Sequence, residues 1–138
     1  MSARDIFHNA VRLALEKDGW LITADPLIFI VDTIEFRIDL GAERLLGAEK
    51  EGQKIAVEIK SFLEKSAISE FHTALGQTLN YRSILRTEEP DRILYLAISY
   101  EIYTAFFLKP VIQDIIGEHN LKLLIFEGSK QEIVLWKE

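Results

Sequence analysis

The chain of 138 residues has the length of one domain, and 49% apolar with 28% charged residues excludes collagen-like and disordered classes. Its formal net charge of -6 argues against tight electrostatic binding of duplex phosphates, although carboxylates that hold metal ions add such charge in nucleic-acid enzymes. Without cysteine or a membrane-length apolar run, we expect one cytoplasmic domain over residues 1–138, with no disulfide or membrane span.

The first predicted elements are a helix and a series of strands. Ser2 and Asp5 form a capping-box pattern and Gly19 supplies a stop. The apolar face of this helix is predicted at Ile6, Ala10, Leu13 and Ala14. Alternating or apolar runs then predict strands at 20–23, 28–31, 34–40 and, after a charged loop at 41–52, at 54–62.

The second half of the chain predicts two more helices, a central strand and a hairpin. Ser66 can cap a helix that runs to about Arg86. Its predicted apolar stripe comprises Ile68, Phe71, Leu75, Leu79 and Arg82, and Gly76 is tolerable if the helix lies close to a sheet. The apolar run 93–98 predicts a strand in the middle of the sheet, Pro110 starts a third helix, and 121–127 pairs with 132–136 across a turn.

These elements predict an α/β (mixed α+β) fold in which helices flank a mixed sheet. The order of the predicted core is α-β-β-β-α-β-α-β-β, without internal repeats or linkers. The pattern therefore indicates one continuous domain.

Histidine chemistry has little support in the sequence. His8, His72 and His119 are scattered, and we interpret them as structural or surface residues. The sequence has no glycine-rich phosphate loop, nucleophile elbow or zinc-ligand spacing. Carboxylates are therefore the candidates for chemistry.

Two predicted strands carry carboxylates where they can meet. In 54–60 the side chains of Glu58 and Lys60 share the face opposite the apolar residues, and Asp39 ends the strand 34–40. If the strands pair, Asp39 and Glu58 come together and need a cation such as Mg²⁺ between them, while Lys60 can stabilise negative charge on a phosphate. The plainer interpretation is a half-exposed strand with polar residues outward, since a Glu-x-Lys pair is common by chance.

This pattern resembles the PD-(D/E)XK nuclease-like fold, the restriction-endonuclease-like core. The resemblance implies Asp39, Glu58, Lys60 and Gln77 as catalytic residues, and Asp39, Glu58 and the backbone carbonyl of Ile59 as ligands of Mg²⁺ or Mn²⁺. It also implies Glu16 as an acid from the first helix, although the edge of the polar face favours a solvated side chain.

The chain departs from the motif of that fold at one position. Ile38 stands where the motif has proline, and Pro90 with Asp91 is a decoy because no Glu-x-Lys strand follows it.

At family level the sequence resembles the XisH proteins, cyanobacterial factors that control excision of the fdxN element during heterocyst differentiation. The residues that carry this resemblance are in segments 37–49, 54–62, 70–77 and 89–97. The resemblance implies a role in DNA rearrangement. In that role the chain would act on DNA together with XisI, its companion factor, and a site-specific recombinase. It leaves open whether the chain cuts DNA or is a non-catalytic adaptor on a nuclease fold.

A cluster of aromatic residues follows the predicted central strand. It comprises Tyr95, Tyr100, Tyr103, Phe106 and Phe107. Either these residues complete the core beneath the third helix, or they form an exposed contact surface and the protein is a homodimer.

Overall fold

The computed structural model describes residues 2–44, 52–63 and 66–138. In these ranges the helices are α1 (Ala3–Lys17), α2 (Ala67–Glu88), α3 (Tyr100–Ile102, continued by a π-helical turn at Tyr103–Phe107) and α4 (Pro110–His119). The strands are β1 (Leu21–Ala24), β2 (Leu27–Val31), β3 (Ile34–Ile38), β4 (Leu40–Arg44), β5 (Gln53–Ile59), β6 (Arg92–Ser99), β7 (Leu123–Glu127) and β8 (Glu132–Lys137). None of the described helices has the length and apolar character needed to cross a membrane.

A six-stranded mixed sheet organises the fold in the order β1-β4-β5-β6-β7-β8. Strands β5, β6 and β7 run parallel to one another, and the remaining pairs are antiparallel. Residues of α1 pack in one apolar cluster with the sheet, and residues of α2 and α4 pack in others. The predicted mixed sheet flanked by helices is confirmed, including the interior position of β6 and the β7–β8 hairpin.

The predicted layout of the early strands is wrong in two respects. The predicted strand 34–40 is broken at Asp39, and β4 begins at Leu40 and continues into the stretch predicted as a loop. Five strands therefore precede α2 in the described part of the chain. Strands β2 and β3 form a separate two-stranded sheet rather than part of a continuous meander. Asp32 and Thr33, both at positive φ, make the tight turn that pairs these strands with each other. The rest of the predicted loop, at 45–51, lies outside the described residues.

Helix α1 confirms its predicted cap and, at Ala10 and Ala14, half of its predicted apolar face. The Ser2 side chain accepts from the backbone N–H of Asp5, and the Asp5 side chain accepts in return. The buried residues are Ala10, Val11, Ala14 and Leu15, whereas Ile6 and Leu13 are exposed. Packing against the sheet has turned the helix about one residue from the predicted apolar face.

Helix α2 buries the predicted Phe71, but the rest of its buried face is shifted by one residue towards the N-terminus. Ser66 caps it as predicted, but the buried residues are Phe71, Ala74, Thr78 and Leu85, and Ile68 is exposed. A Cβ at Gly76 would meet nothing within 4 Å, so this glycine serves no close helix-to-sheet approach. Thr78 can be buried without an unsatisfied polar group, because its hydroxyl donates to the carbonyl of Ala74 at 2.9 Å.

The predicted aromatic cluster lies mainly in the core. Tyr95, Tyr103, Phe106 and Phe107 are buried, and Tyr100 is exposed. The rings of Phe106 and Phe107 pack against Phe62 and Phe71 with centroids 5.3 to 6.2 Å apart. The four buried aromatics therefore complete the core, and the homodimer stays a prediction without support from this cluster.

Arg92 joins the start of β6 to its neighbours through a buried network. Its guanidinium donates to both carboxylate oxygens of Glu89, at 3.0 and 3.2 Å, and to the carbonyl of Ile55 at 2.8 Å. Gly41 allows this approach, because a Cβ there would lie 3.1 Å from Arg92 Nη1.

We expect Arg92→Leu to lower the free energy of unfolding by about 3 kcal/mol, because it leaves Glu89 and a buried carbonyl without their donor. Urea denaturation measures this loss. Arg37→Leu, which removes the exposed pair with Glu35, is the matched control and should change stability by less than about 1 kcal/mol. Equal losses in the two variants would contradict the buried role of Arg92.

Candidate active site at the ends of β4 and β5

Asp39 and Glu58 lie side by side where β4 begins and β5 ends. Strand β4 runs antiparallel to β5 with Leu40 opposite Val57, so the residue before β4 comes next to Glu58. The backbone N–H of Asp39 donates to Glu58 Oε1 at 3.3 Å, and the backbone N–H of Ile59 donates to Asp39 Oδ2 at 2.7 Å. The break between the strands at Asp39 thus brings together the two carboxylates that the sequence pairs.

The environment of Glu58 disfavours its ionised form. Only 5% of the residue is exposed, and burial, with a further contribution from the negative charge of Asp39, raises the pKa of Glu58 to about 7. Lys60 Nζ lies 3.5 Å from Glu58 Oε2 and acts in the opposite direction. A cation beside the two carboxylates would favour the ionised form of Glu58.

A cavity of about 340 Å³ opens beside this pair. Its polar walls include His8 from α1, Asp39, Lys60, and Glu70 and Gln77 from α2. The cavity therefore unites Asp39 and Lys60 with Gln77, three of the four residues predicted to be catalytic, and Glu58 is buried next to them. Ile59 also lines the cavity.

The side chain of Gln77 has an unsatisfied acceptor. Its Oε1 atom is buried and has no hydrogen-bond partner among the described residues. A buried acceptor without a donor costs about 1–3 kcal/mol, and a donor from a bound ligand or a metal-bound water would satisfy it. Gln77 is thus placed to contact a ligand in the cavity.

Three polar residues that line this cavity were not predicted as site residues from the sequence: His8, Ser61 and Glu70. His8 Nε2 lies 2.7 Å from Asp25 Oδ1, and Arg12 also pairs with Asp25. No spacing rule finds this contact, because Asp25 comes from the turn after β1. Glu70 could have been predicted from the sequence, because it lies two helical turns before Gln77 on α2 and therefore shares the same helix face.

Glu16 is not brought to this cavity. Its carboxylate is half exposed and lies 3.5 Å from Arg12 Nε, one helical turn earlier on α1. It does not line the cavity, whereas His8 on the same helix does.

Within the described ranges, no group of three or more histidine, aspartate and glutamate side chains is arranged to hold a metal ion. Mg²⁺ often binds proteins through only one or two carboxylates and keeps several waters. The donor set of Asp39, Glu58 and a nearby backbone carbonyl is compatible with such an ion, and the raised pKa of Glu58 and the unsatisfied Gln77 fit it as well.

The fold and this site define a mixed α/β protein with a carboxylate-containing cleft at the carboxyl end of its parallel strands. The chain belongs to the XisH family, whose model, described as XisH protein, matches residues 1–134.

Two solved structures share this fold over their whole length. A crystal structure of an XisH family protein from Nostoc punctiforme PCC 73102 is 47% identical, with a TM-score of 0.89, and covers 97% of this chain and 100% of that one. A crystal structure of an fdxN element excision controlling factor protein from Anabaena variabilis is 48% identical, with a TM-score of 0.87, over 98% of this chain and 100% of that one. No curated protein matches the sequence.

Proposed function

We propose that this chain is a Mg²⁺-dependent DNA phosphodiesterase with a PD-(D/E)XK nuclease-like core, and that it controls excision of a DNA element. The observation that carries this proposal is the contact between Asp39 and Glu58, with Lys60 two residues further on. A buried carboxylate next to a partly buried one is costly without a cation, and a lysine beside them suits an anionic substrate. Metal-dependent phosphodiester hydrolysis can use both features.

Asp39, Glu58 and the carbonyl of Ile59 would hold Mg²⁺ or Mn²⁺. When bound, such an ion would polarise a phosphate oxygen and lower the pKa of a water molecule. Gln77 would orient a ligand through its unsatisfied Oε1 atom.

Lys60 provides the positive charge of the cavity wall beside the carboxylates. Its ammonium group would stabilise negative charge that develops on the phosphate during hydrolysis. His8, held at Nε2 by Asp25, would position a phosphate or a water from α1.

The role in DNA excision is supported by the 48% identity to an fdxN element excision controlling factor. Under this proposal the chain acts on DNA together with a companion excision factor and a site-specific recombinase. Its charge of -6 predicts weak DNA binding by the isolated chain.

An adaptor role is the second candidate, and the β2–β3 hairpin favours it. Ile28, Ile30 and Ile34 of this hairpin are 42%, 71% and 56% exposed, although the hairpin forms its own sheet. Ile28 and Ile30 share one face of the hairpin and Ile34 lies on the other, so both faces offer apolar contacts to a protein partner. The adaptor would bind its partners without cutting DNA.

A nicking assay on supercoiled DNA with Mg²⁺ or Mn²⁺, with and without the companion factor, separates the two candidates. We expect nicking by the wild type and none by Asp39→Asn. Asp91→Asn, a change of the same type at the exposed Asp91 by the start of β6, is the matched control and should keep the activity. Absence of nicking by the wild type under all these conditions, with a stable complex with the companion factor, would favour the adaptor.

A further inference from the structure

The polar cavity of the candidate site adjoins a second, apolar cavity of about 450 Å³. Phe7 and Ser61 line both of them. The walls of the second cavity include Phe62, Leu63 and Ala105. A ligand with one polar and one apolar end can therefore occupy both cavities at once.

Both cavities lie at the carboxyl ends of the three parallel strands. Ile59 ends β5 beside the polar cavity, and Ser99 and Glu127, at the ends of β6 and β7, line the apolar one. In open α/β sheets, ligands bind in the crevice outside these ends. The apolar cavity thus occupies a typical ligand-binding position.

Two unusual backbone features also border the apolar cavity. Phe62 has φ 54°, in the left-handed region that bulky residues rarely adopt. Ala105 belongs to the π-helical turn Tyr103–Phe107, and such turns occur frequently at functional sites. The backbone therefore departs from regular geometry at two places around this cavity. Strained backbone segments of this kind cluster at binding sites.

Charge distinguishes the two ends of the joint cavity. At the polar end Lys60 places a cation beside Asp39 and Glu70. The apolar end, in contrast, has no cation among its described lining residues and is bordered by Glu101 and Glu127. These carboxylates repel a phosphate but can accept hydrogen bonds from the amino groups of a nucleobase. The apolar walls suit a flat, uncharged ring system.

We infer that the apolar cavity binds the base of an unpaired nucleotide whose phosphate lies beside Asp39 and Lys60. The substrate class is therefore single-stranded or locally unpaired DNA, because a base held in a duplex stack does not reach the cavity. This inference rests on the proposed function, which supplies the phosphate at the polar end.

Cavity-filling substitution tests the inference with the full chain. Ala105 is exposed and lines the cavity, so Ala105→Trp fills it from the solvent side, and Thr104→Trp adds the same ring at the exposed neighbouring position. With Mg²⁺ and a dye-labelled single strand, Ala105→Trp should weaken binding about tenfold, the effect of one lost stacked base. Thr104→Trp should bind as the wild type does. Leu63→Ser, at an exposed position in the wall, should weaken binding in the same direction.

Two further probes isolate the contribution of the base. A strand of equal length made only of abasic nucleotides, and a fully paired duplex, should each bind the wild type about tenfold more weakly than the single strand does. Thermal melting confirms that the variants are folded. Equal binding by Ala105→Trp and Thr104→Trp, equal binding of the three probes, or no binding at all would overturn the inference.

The outcomes also separate this inference from the nuclease proposal. If binding depends on the base and Ala105→Trp weakens it, but no cleavage is detected, the base site is supported and the nuclease proposal is contradicted. If DNA is cleaved but binding does not depend on the base, the nuclease proposal is supported and the base site is contradicted.

Discussion

Glu58→Gln is expected to abolish binding of Mn²⁺ and Mg²⁺ while it stabilises the metal-free protein at neutral pH. The substitution removes a charged ligand at nearly constant shape, and the amide that replaces the carboxylate keeps an oxygen that can accept from the N–H of Asp39. It also removes the cost of a buried carboxylate whose pKa is raised from 4.5 to about 7.

The sign of the pH dependence follows from this raised pKa. Between pH 4.5 and about 7 the folded wild type holds the proton of Glu58 more tightly than the unfolded chain does, so its stability falls as pH rises through this window. Above pH 7 the variant should be more stable, by on the order of 3 kcal/mol, and below pH 4.5 the difference should vanish.

Urea denaturation across this pH range, with and without Mn²⁺, and calorimetry measure both effects. The wild type should gain about 2.7 kcal/mol at a Mn²⁺ concentration one hundred times its Kd, and Glu58→Gln should gain nothing. Glu16→Gln is the matched control and should bind Mn²⁺ like the wild type, because Glu16 pairs with Arg12 away from the cavity. Equal Mn²⁺ binding by the wild type and Glu58→Gln would contradict the assigned metal site.

The meeting of Asp39 and Glu58 was predictable because alternation along two strands fixes which side chains share a face. The strand break that positions Asp39 was not predictable from this alternation. Residues 34–40 alternate without interruption in the sequence, yet β3 ends at Ile38, the pairing breaks at Asp39 and β4 begins at Leu40. The tight turn at Asp32 and Thr33 pairs β3 with β2, and β4 then joins the main sheet independently.

The buried face of α1 and the contact of His8 with Asp25 were also not predictable from the sequence. Both Leu13 and Leu15 fit an apolar stripe on α1, and the sheet selects Leu15, which is fully buried. The contact between His8 and Asp25 joins residues 17 positions apart on different elements. Caps could be predicted because Ser2 and Ser66 act on backbone groups three residues away, whereas these contacts depend on the assembled fold.

Lys60→Met is expected to lower the rate of single-turnover DNA cleavage by about 10² to 10³, while DNA affinity persists and metal affinity persists at a pH at which Glu58 is ionised. The reason is that a fixed positive charge contributes most where negative charge develops on the phosphate in the transition state. Lys54→Met, at the other end of β5 and paired with the exposed Asp91, is the matched control and should cleave like the wild type.

The position of Lys60 also predicts a change in the pH dependence of metal binding. Because Lys60 lowers the pKa of Glu58, its loss should raise that pKa and shift the midpoint of Mn²⁺ binding to higher pH. Raising the pH should then restore metal binding to Lys60→Met without restoring cleavage. If cleavage returns together with the metal, Lys60 serves only to keep Glu58 ionised. If the substitution weakens DNA binding and leaves the rate at saturating DNA unchanged, Lys60 contacts the bound substrate without contributing to the chemical step.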